Sequence, residues 1–177
     1  MMMPPIDPII IAGRKVGPGF PSFVIAEAGS NHNRDLEQAY RLIDAAAEAG
    51  ADAVKFQTYS GHTLYSKKTP VPSYLLEQGL IKPSETMADL LERIALPRIW
   101  HKPLQDYCNK KQVMFLSTPF DLQAVDELNA LDMPAFKIAS YEITDLPLIQ
   151  KAALTQKPIL LSTGMANMKE IDRAVSV

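Results

Sequence analysis

Two polar side chains interrupt a stretch that otherwise has the pattern of a buried β-strand. In A-D-A-V-K-F-Q-T-Y, residues 51–59, Lys55 and Gln57 alternate with large apolar residues. Successive side chains of a strand point to opposite faces, so the lysine and the glutamine share one face. Because a lysine is rarely buried without a partner, this face is predicted to carry a polar site that binds or converts an anionic ligand.

Similar polar residues lie near the carboxyl ends of one predicted strand after another. They are Glu27, Lys55, Gln57, Ser117, Thr118, Lys137, Ser140, Ser162 and Thr163. A parallel β/α barrel builds its active site from the carboxyl ends of several strands at once. Lysines surrounded by hydroxyl groups suit a phosphate, because lysine supplies compact positive charge and Ser and Thr supply directional donors. The pattern therefore predicts a phosphate-binding site at the mouth of a barrel.

A purely structural role is the alternative for the charged members of this set. Lys55 and Lys137 could pair with Glu27 and Glu142 in a network that only neutralises buried charge. The repetition of polar residues on four or five strand ends favours the functional interpretation. Ser140 has the opposite strand parity to Lys137, so it can join the site only if its strand has already turned into a loop.

The elements that would position these residues alternate between strand and helix. Strands are predicted at 21–29, 51–57, 112–118, 135–140 and 157–164. Helices are predicted at 35–50, 84–95, 97–109, 121–131, 144–155 and from Asn167 onward. Residues 60–84 are predicted as a long loop with one helical turn at 74–78. Such alternation indicates βαβ units and a parallel sheet.

Residues at the predicted helix ends support this division of the chain. Asp35 and Asp121 are predicted to cap the amino ends of two helices, and Gly50 is predicted to end the first. Ser84 is predicted to begin the helix at 84–95, without the acidic partner that completes a capping box.

Both an open doubly wound sheet and a (β/α)8 barrel fit the alternation. No G-x-G-x-x-G follows the first strand, since G-P-G-F-P at 17–21 precedes it. The spread of polar residues over several strands favours an α/β fold of the TIM (β/α)8-barrel type. A complete barrel needs roughly 250 residues. With 177 residues, the chain is expected to hold only about five β/α units, as the N-terminal part of a longer protein.

Two segments are predicted along the chain. Residues 1–22 are expected to carry a β-hairpin, turning at Gly13–Arg14, that closes the bottom of the barrel. Residues 23–177 are expected to form the truncated barrel itself.

Composition excludes several classes of protein. Apolar residues make up 47% and charged residues 21% of the chain, which indicates a globular domain. The net charge of −2 provides no basic field for nucleic acid or anionic membrane. A single cysteine, Cys108, and the lack of a long apolar run or signal peptide predict a cytoplasmic protein.

Five linked stretches resemble the sialic acid synthase family, the phosphoenolpyruvate-dependent nonulosonic acid synthases. They are F-V-I-A-E-A-G-S-N-H-N, G-A-D-A-V-K-F-Q-T-Y, S-T-P-F-D, F-K-I-A-S-Y-E-I-T-D-L-P-L-I and K-P-I-L-L-S-T-G-M-A. The similarity runs from about residue 9 to the end. The sequence of the fourth stretch is closer to pseudaminic acid synthases than to N-acetylneuraminate synthases. Arg34 stands where the family usually has glycine after N-H-N.

The resemblance implies a reaction and a role for each matching residue. Such enzymes condense phosphoenolpyruvate with the open-chain aldehyde of an N-acetylated amino sugar and release phosphate. The residues that match substrate-binding positions are Lys55, Gln57, Thr118, Lys137, Ser140 and Ser162. Glu27 and Gln57 match positions near the sugar and the reacting carbons, and Glu142 matches a carboxylate that orients or deprotonates the attacking water. Glu27 and Glu142 are thus the candidate catalytic residues.

The resemblance also implies partners and a cofactor. It implies a divalent metal, Mn²⁺ or Mg²⁺, held by histidines of later strands, so no metal ligand is expected in this chain. It implies a homodimer in the full-length form, because a neighbouring subunit completes the site. We expect this chain by itself to be inactive.

Two other functions stay open. One is a different phosphoenolpyruvate-dependent aldol-type synthase, such as one that makes an octulosonate or a heptulosonate. The other is a non-catalytic barrel fragment that binds phosphate or a partner. The wording A-E-A-G-S-N-H-N at 26–33 argues against the first.

The remaining histidines and the loop tyrosines have weaker assignments. His32 is predicted to support the turn after the first strand, and His62 and His101 are predicted to be solvated or capping. Tyr59, Tyr65 and Tyr74 are candidates for sugar contacts, with packing as the alternative.

Overall fold

The structure is a computed structural model that describes residues 6–177. Its strands are β1 (Ile9–Ile11), β2 (Arg14–Val16), β3 (Ile25–Gly29), β4 (Ala53–Thr58), β5 (Met114–Pro119), β6 (Phe136–Ile138) and β7 (Ile159–Leu161). Its α-helices are α1 (Leu36–Glu48), α2 (Gly61–Leu64), α3 (Ser73–Glu77), α4 (Met87–Ile94), α5 (His101–Lys110), α6 (Leu122–Ala130), α7 (Leu146–Ala153) and α8 (Met168–Val175). Two 3-10 helices cover Arg98–Trp100 and Ser140–Thr144.

The chain begins with the predicted hairpin. Strands β1 and β2 pair antiparallel, with Ile9 opposite Val16, and Ile11 is fully buried. Arg14 forms an ion pair with Asp52, the residue just before β4, and its guanidinium group donates a hydrogen bond to a neighbouring carbonyl oxygen. The hairpin is therefore attached at the amino end of β4. Residues 1–5 of the predicted segment 1–22 lie outside the described residues.

Five parallel strands follow, and each is succeeded by at least one helix. Strands β3, β4 and β5 form one hydrogen-bonded sheet and β6 and β7 form another, with β5 packed beside β6. The register places Glu27 opposite Lys55, and Gln57 opposite Thr118. This arrangement confirms the predicted α/β fold of TIM-barrel type with about five β/α units.

The core lies between the strands and the helices that cover them. Val54 and Phe56 are fully buried, and the Phe56 and Phe115 rings stack with their centroids 6.0 Å apart. Ile43 of α1 and Leu104 of α5 belong to the same core. The predicted parity of β4 is confirmed, because its large apolar residues face the helices and leave the opposite face for Lys55 and Gln57.

Side chains cap the amino ends of most of the helices that position the site. Asp35 accepts a hydrogen bond from the amide of Gln38 at the start of α1, and Asp121 accepts one from the amide of Ala124 at the start of α6, as predicted. Gly50 follows α1 with a φ of +74°, in the left-handed region that glycine adopts without strain.

The predicted start of the helix at 84–95 was wrong. Helix α4 is capped by Thr86, whose hydroxyl accepts from the amide of Asp89, 3.2 Å away. The Asp89 carboxylate accepts in return from the amide of Thr86, at 2.9 Å. An aspartate three residues after the cap thus completes a capping box that Ser84 could not form, since Met87 follows it at that spacing.

The region at 60–84 and the last strands also differ from the predicted pattern. The helical turn predicted at 74–78 is present as α3, but the expected loop also contains a second short helix, α2, that was not predicted. Strand β6 ends at Ile138, so Ser140 already belongs to a 3-10 helix. All three residues of β7 are half-exposed, whereas five of the six residues of β4 are buried. In the described part of the chain, no helix has the length and apolar character needed to cross a membrane.

Candidate active site

Lys55 is the buried cation at the centre of the candidate site. The residue is only 8% exposed, and its ammonium group forms an ion pair with Glu27 and donates a longer hydrogen bond to Thr118 Oγ1, at 3.4 Å. Strand β3 carries an irregularity between Glu27 and Gly29, where the pairing with β4 shifts by one residue. Gly29 has a φ of +51°, and a Cβ there would lie 3.1 Å from the Glu27 carboxylate. The bulge and the glycine therefore make room for the Glu27 side chain beside Lys55.

Lys137 supplies a second cation on the neighbouring sheet. Its ammonium group donates to Ser162 Oγ and to the carbonyl oxygen of Ile138, both at 2.6 Å. Burial lowers the pKa of Lys137, and the positive charge of Lys55 lowers it further, while the carboxylates of Glu27 and Glu142 act in the opposite direction. The positive charges of Lys55 and Lys137 thus disfavour each other, and a multiply charged anion bound by both would offset this effect.

Glu142 lies near Lys137 on the 3-10 helix that follows β6. It is 8% exposed, and burial is the main cause that raises the pKa of its carboxyl group. Its Oε2 atom is buried and has no hydrogen-bond partner among the described residues. The ion pairs of residues 6–177 join Lys55 to Glu27 but do not join Lys137 to Glu142. The structural alternative therefore accounts for one of the two lysines.

Ser140 meets the condition set by its strand parity. The strand ends two residues earlier, and Ser140 begins the 3-10 helix that carries Glu142. The residue is half-buried, and its hydroxyl takes part in no side-chain hydrogen bond within the described chain. Its role in binding stays a prediction.

A cavity of about 530 Å³ has two of the predicted site residues, Gln57 and Glu142, in its wall. Its wall consists of Ser30, Gln57, Tyr59, Leu64, Tyr65, Met87, Leu91, Ile94, Phe120, Tyr141 and Glu142. The hydroxyls of Ser30 and Tyr59 are hydrogen-bonded at 2.9 Å, and burial raises the pKa of Tyr59. Tyr65 also lines this cavity, whereas Tyr74 does not and is 54% exposed.

Sequence reasoning missed the apolar half of this cavity. Leu64, Leu91 and Ile94 come from α2 and α4, in or beside the region that was predicted as a loop. The spacing of Met87, Leu91 and Ile94 at i, i+4 and i+7 was the available signal, because these positions share one face of a helix.

The prediction that His101 is solvated or capping was wrong. His101 is 4% exposed, and its Nε2 atom is hydrogen-bonded to Thr58 Oγ1 at 2.9 Å. Thr58 Oγ1 is also hydrogen-bonded to Ser117 Oγ at 2.7 Å. Burial lowers the pKa of His101 to about 4. These hydrogen-bonded side chains link β4, β5 and α5, next to Gln57 and Thr118 in the sequence.

The other two histidines follow their predictions more closely. His62 is exposed on α2. His32 is fully buried in the turn after β3, where its Nδ1 atom accepts a hydrogen bond from the backbone amide of Arg34 at 2.9 Å. Arg34 adopts a φ of +56°, the left-handed conformation that glycine favours. The turn therefore forms with arginine in the position of the family's glycine.

The side chains described offer no metal centre. Among residues 6–177, no group of three or more His, Cys, Asp and Glu side chains could hold a metal ion.

Comparison with known proteins decides the family. The family model described as "NeuB family" matches residues 42–177. This range includes the predicted site residues from Lys55 to Ser162 but not Glu27. The chain belongs to the NeuB family.

Two curated relatives are among the proteins to which this NeuB-family chain is similar. It is 44% identical to N,N'-diacetyllegionaminic acid synthase of Campylobacter jejuni over 88% of its own length and 46% of that protein. It is 42% identical to pseudaminic acid synthase of Helicobacter pylori, over 89% of its own length and 46% of that protein. The NeuB-family chain thus spans about half the length of the curated relatives it matches.

A solved structure has the same arrangement of elements. N-acetylneuraminic acid (sialic acid) synthetase of Leptospira borgpetersenii, crystallised in complex with citrate, superimposes with a TM-score of 0.83 at 32% identity. The match covers 96% of the NeuB-family chain and 54% of that protein. This agreement extends the family relationship from the sequence to the fold of the described strands and helices.

Proposed function

We propose that this NeuB-family chain is the N-terminal part of a synthase that condenses phosphoenolpyruvate with the aldehyde of an N-acetylated amino sugar. The observation that carries the proposal is that two lysines, Lys55 and Lys137, each donate a hydrogen bond to a hydroxyl group of the next strand along the chain, Thr118 and Ser162. The names of its relatives, which include a legionaminic, a pseudaminic and a sialic acid synthase, support the same class of reaction.

The charged side chains of the site, Lys55, Lys137, Glu27 and Glu142, favour a strongly anionic ligand. Two ammonium groups face one ion-paired carboxylate, Glu27, and a buried carboxyl group, Glu142, whose raised pKa weakens its tendency to ionise. A phosphate and a carboxylate on one molecule would replace the repulsion between Lys55 and Lys137 by two attractive contacts. The Thr118 and Ser162 hydroxyls would add directional hydrogen bonds. Phosphoenolpyruvate carries both anionic groups on a small frame.

The acceptor sugar is placed in the neighbouring cavity. The cavity is large enough for an open-chain amino sugar, and its wall includes Gln57 and Glu142 of the predicted site. Its tyrosine and serine hydroxyls offer hydrogen bonds to sugar hydroxyls, while Leu64, Leu91 and Ile94 offer apolar contact to an acetyl methyl group. Carbon 3 of phosphoenolpyruvate, bound by the lysines, then faces an aldehyde bound in the cavity.

The proposed chemistry forms one carbon–carbon bond and one carbon–oxygen bond and breaks the carbon–oxygen bond to phosphate. The π electrons of the C2–C3 double bond attack the aldehyde carbon, and a water oxygen adds to C2. Of the two water protons, one ends on the aldehyde oxygen, which becomes a hydroxyl group, and the other leaves with the phosphate. Glu142 accepts one proton of that water, a role that suits a buried carboxylate whose raised pKa strengthens it as a base. The tetrahedral C2 then expels inorganic phosphate and becomes a ketone. Lys55 and Lys137 stabilise the charge of the departing phosphate.

Two further expectations belong to the complete protein. A divalent metal, Mn²⁺ or Mg²⁺, is proposed to polarise the aldehyde, with ligands outside the described residues. A homodimer is proposed to complete the site. Metal titration and sedimentation of the longest protein that the reading frame encodes test these expectations.

A phosphate-release assay tests the proposed reaction. The 177-residue chain and the longest protein that the reading frame encodes are incubated with phosphoenolpyruvate, Mn²⁺ and either N-acetylmannosamine or its 2,4-diacetamido analogues. We expect release from the longer protein only, and only when a sugar is present. Phosphate release that needs no sugar contradicts a condensation. A lack of phosphate release by both proteins favours the non-catalytic alternative.

A further inference from the structure

One wall of the sugar cavity is built by a separate segment of the chain, residues 61–94, which we call the wall segment. It contributes Leu64, Tyr65, Met87, Leu91 and Ile94 to the lining. It contains α2, α3 and α4 and lies between β4 and β5 in sequence, outside the parallel sheet. The size and shape of the cavity therefore depend on how this segment is fixed to the barrel.

Glu92 provides the first point of attachment. Its Oε2 atom accepts hydrogen bonds from Ser60 Oγ at 3.0 Å and from the backbone amide of Gly61 at 2.8 Å. Ser60 lies between the end of β4 and α2, and Gly61 is the first residue of α2, so the bond to Ser60 joins α4 to the exit of the strand that carries Lys55 and Gln57. A carboxylate that accepts two hydrogen bonds forms a stronger link than a neutral group would.

Gly61 makes this junction unusually tight. A Cβ atom at Gly61 would lie 2.2 Å from the carbonyl oxygen of Ala88 and 2.4 Å from the amide nitrogen of Glu92. The start of α2 therefore rests directly on the backbone of α4, and only glycine allows that approach.

Arg34 provides the second point of attachment, from the other side. Its side chain donates to the carbonyl oxygen of Glu92, with the Nη1 atom 2.7 Å away. The turn that carries Arg34 is itself fixed, because its amide is bonded to the buried ring of His32, whose centroid lies 6.1 Å from that of Trp100. Glu92 is thus held through its side chain by the end of β4 and through its backbone by the turn after β3.

We propose that Arg34 and Glu92 are positioning residues that set the place of the wall segment over the cavity and thereby set the affinity for the acceptor. Neither residue lines the cavity. Both therefore act through Leu91 and Ile94, the cavity-lining residues of α4 that lie close to Glu92 in the sequence. Phosphoenolpyruvate does not depend on them, because the lysine cluster is formed by the parallel strands. The identity of the acceptor rests on the proposed function.

Three variants of the chain test this inference. Arg34→Gly removes the guanidinium contact and leaves a residue that adopts the positive φ of this turn without strain. Glu92→Ala removes the carboxylate. Arg93→Ala is the matched control, since Arg93 also lies on α4 but its side chain contacts Leu80 and Glu85, both within the wall segment.

Hydrogen exchange measured by mass spectrometry gives the first readout. In Arg34→Gly and Glu92→Ala we expect exchange in residues 61–94 to become about tenfold faster than in Arg93→Ala, as for the loss of a hydrogen bond that involves a charged group. Exchange in β4 and β5 is expected to stay within twofold of the parent. Equal exchange of the wall segment in all three variants would overturn the inference, as would faster exchange throughout the chain.

Ligand binding gives the second readout and separates this inference from the proposed function. We expect N-acetylmannosamine, followed by NMR, to bind Arg34→Gly about tenfold more weakly than Arg93→Ala, and phosphoenolpyruvate, followed by calorimetry, to bind both equally. Equal weakening of both ligands overturns the positioning role. If the longest protein that the reading frame encodes binds neither ligand, the proposed function is overturned instead, and if it binds only phosphoenolpyruvate, the placement of the acceptor in this cavity is overturned.

Discussion

The ammonium group of Lys137 lies 2.6 Å from Ser162 Oγ, across the pair of neighbouring strands β6 and β7. The contact has a counterpart in the other sheet, where Lys55 of β4 reaches Thr118 of β5. Each lysine is thus placed beside a hydroxyl group at the carboxyl end of the next strand along the chain. Two lysine–hydroxyl pairs in the same relation are the basis for assigning one anionic substrate to both.

Replacing Lys55 by Met should weaken phosphoenolpyruvate binding and leave the fold intact. The ammonium group supplies a charge-assisted contact worth about 1.5–3 kcal/mol, so the dissociation constant should rise roughly tenfold or more. Calorimetry measures the affinity and urea titration the free energy of unfolding. Lys102→Met is the control, because Lys102 pairs with Asp106 on the exposed side of α5. Unfolding of Lys55→Met without a separate binding defect would support the structural role of Lys55.

Replacing Glu142 by Gln should abolish phosphate release in the longest protein and change how stability depends on pH. Burial raises the pKa of Glu142 above its ordinary value of 4.5 in the folded chain, so the folded state holds this proton more tightly than the unfolded state. The contribution of Glu142 to stability is therefore present below pH 4.5 and is lost as the pH rises through the folded pKa.

Urea titrations at several pH values between 4 and 8 measure this effect as the difference between parent and variant. We expect the free energy of unfolding of Glu142→Gln to increase relative to that of the parent as the pH rises. Glu77→Gln, on the exposed end of α3, serves as the control and should run parallel to the parent. A constant difference between parent and Glu142→Gln across this range would show that the carboxyl group is not buried in the folded chain.

His101 should make the chain sensitive to acid. Its folded pKa of about 4 lies below its ordinary value of 6.5, so the unfolded state binds this proton first. Stability is therefore fully present above pH 6.5 and falls as the pH drops towards 4, by an amount on the order of 3 kcal/mol for this group. In His101→Gln this part of the pH dependence should disappear from the urea titrations, while the exposed variant His62→Gln should keep it.

Replacing Gly61 by Ala should destabilise the chain. The added methyl group would meet backbone atoms of α4 at 2.2 and 2.4 Å, and backbone cannot move aside as a flexible side chain can. A loss of about 1–3 kcal/mol in the free energy of unfolding is expected for such overpacking. Gly164→Ala is the control, since a Cβ there meets nothing within 4 Å. Equal stability of the two variants would show that α2 and α4 are less closely packed than described.

Periodicity in the sequence was enough to predict the strands and the direction of their polar residues. The alternation around Lys55 and Gln57 follows from strand geometry alone, and the side-chain caps at Asp35 and Asp121 follow from local hydrogen bonding. The hairpin at the start of the chain was likewise predictable from its turn residues. These features depend on neighbours within a few positions, which is why a single sequence reveals them.

Features that depend on distant partners were not predictable in this way. The partner of His101 is Thr58, 43 residues earlier in the chain, and nothing local to His101 marks it as buried. The cavity likewise needs Leu64, Leu91 and Phe120 to meet, which only the packing of α2 and α4 against the barrel decides. The true cap of α4 was missed because Ser84 and Thr86 are both acceptable cap residues, and the choice rests on Asp89.

Trp100 sits edge-on to the buried ring of His32, 6.1 Å away, and it is the only tryptophan in the sequence. The emission of the indole therefore comes from a single known place, beside the turn that carries Arg34. This chain contains its own optical probe, because fluorescence can follow the opening of that turn during unfolding without a label.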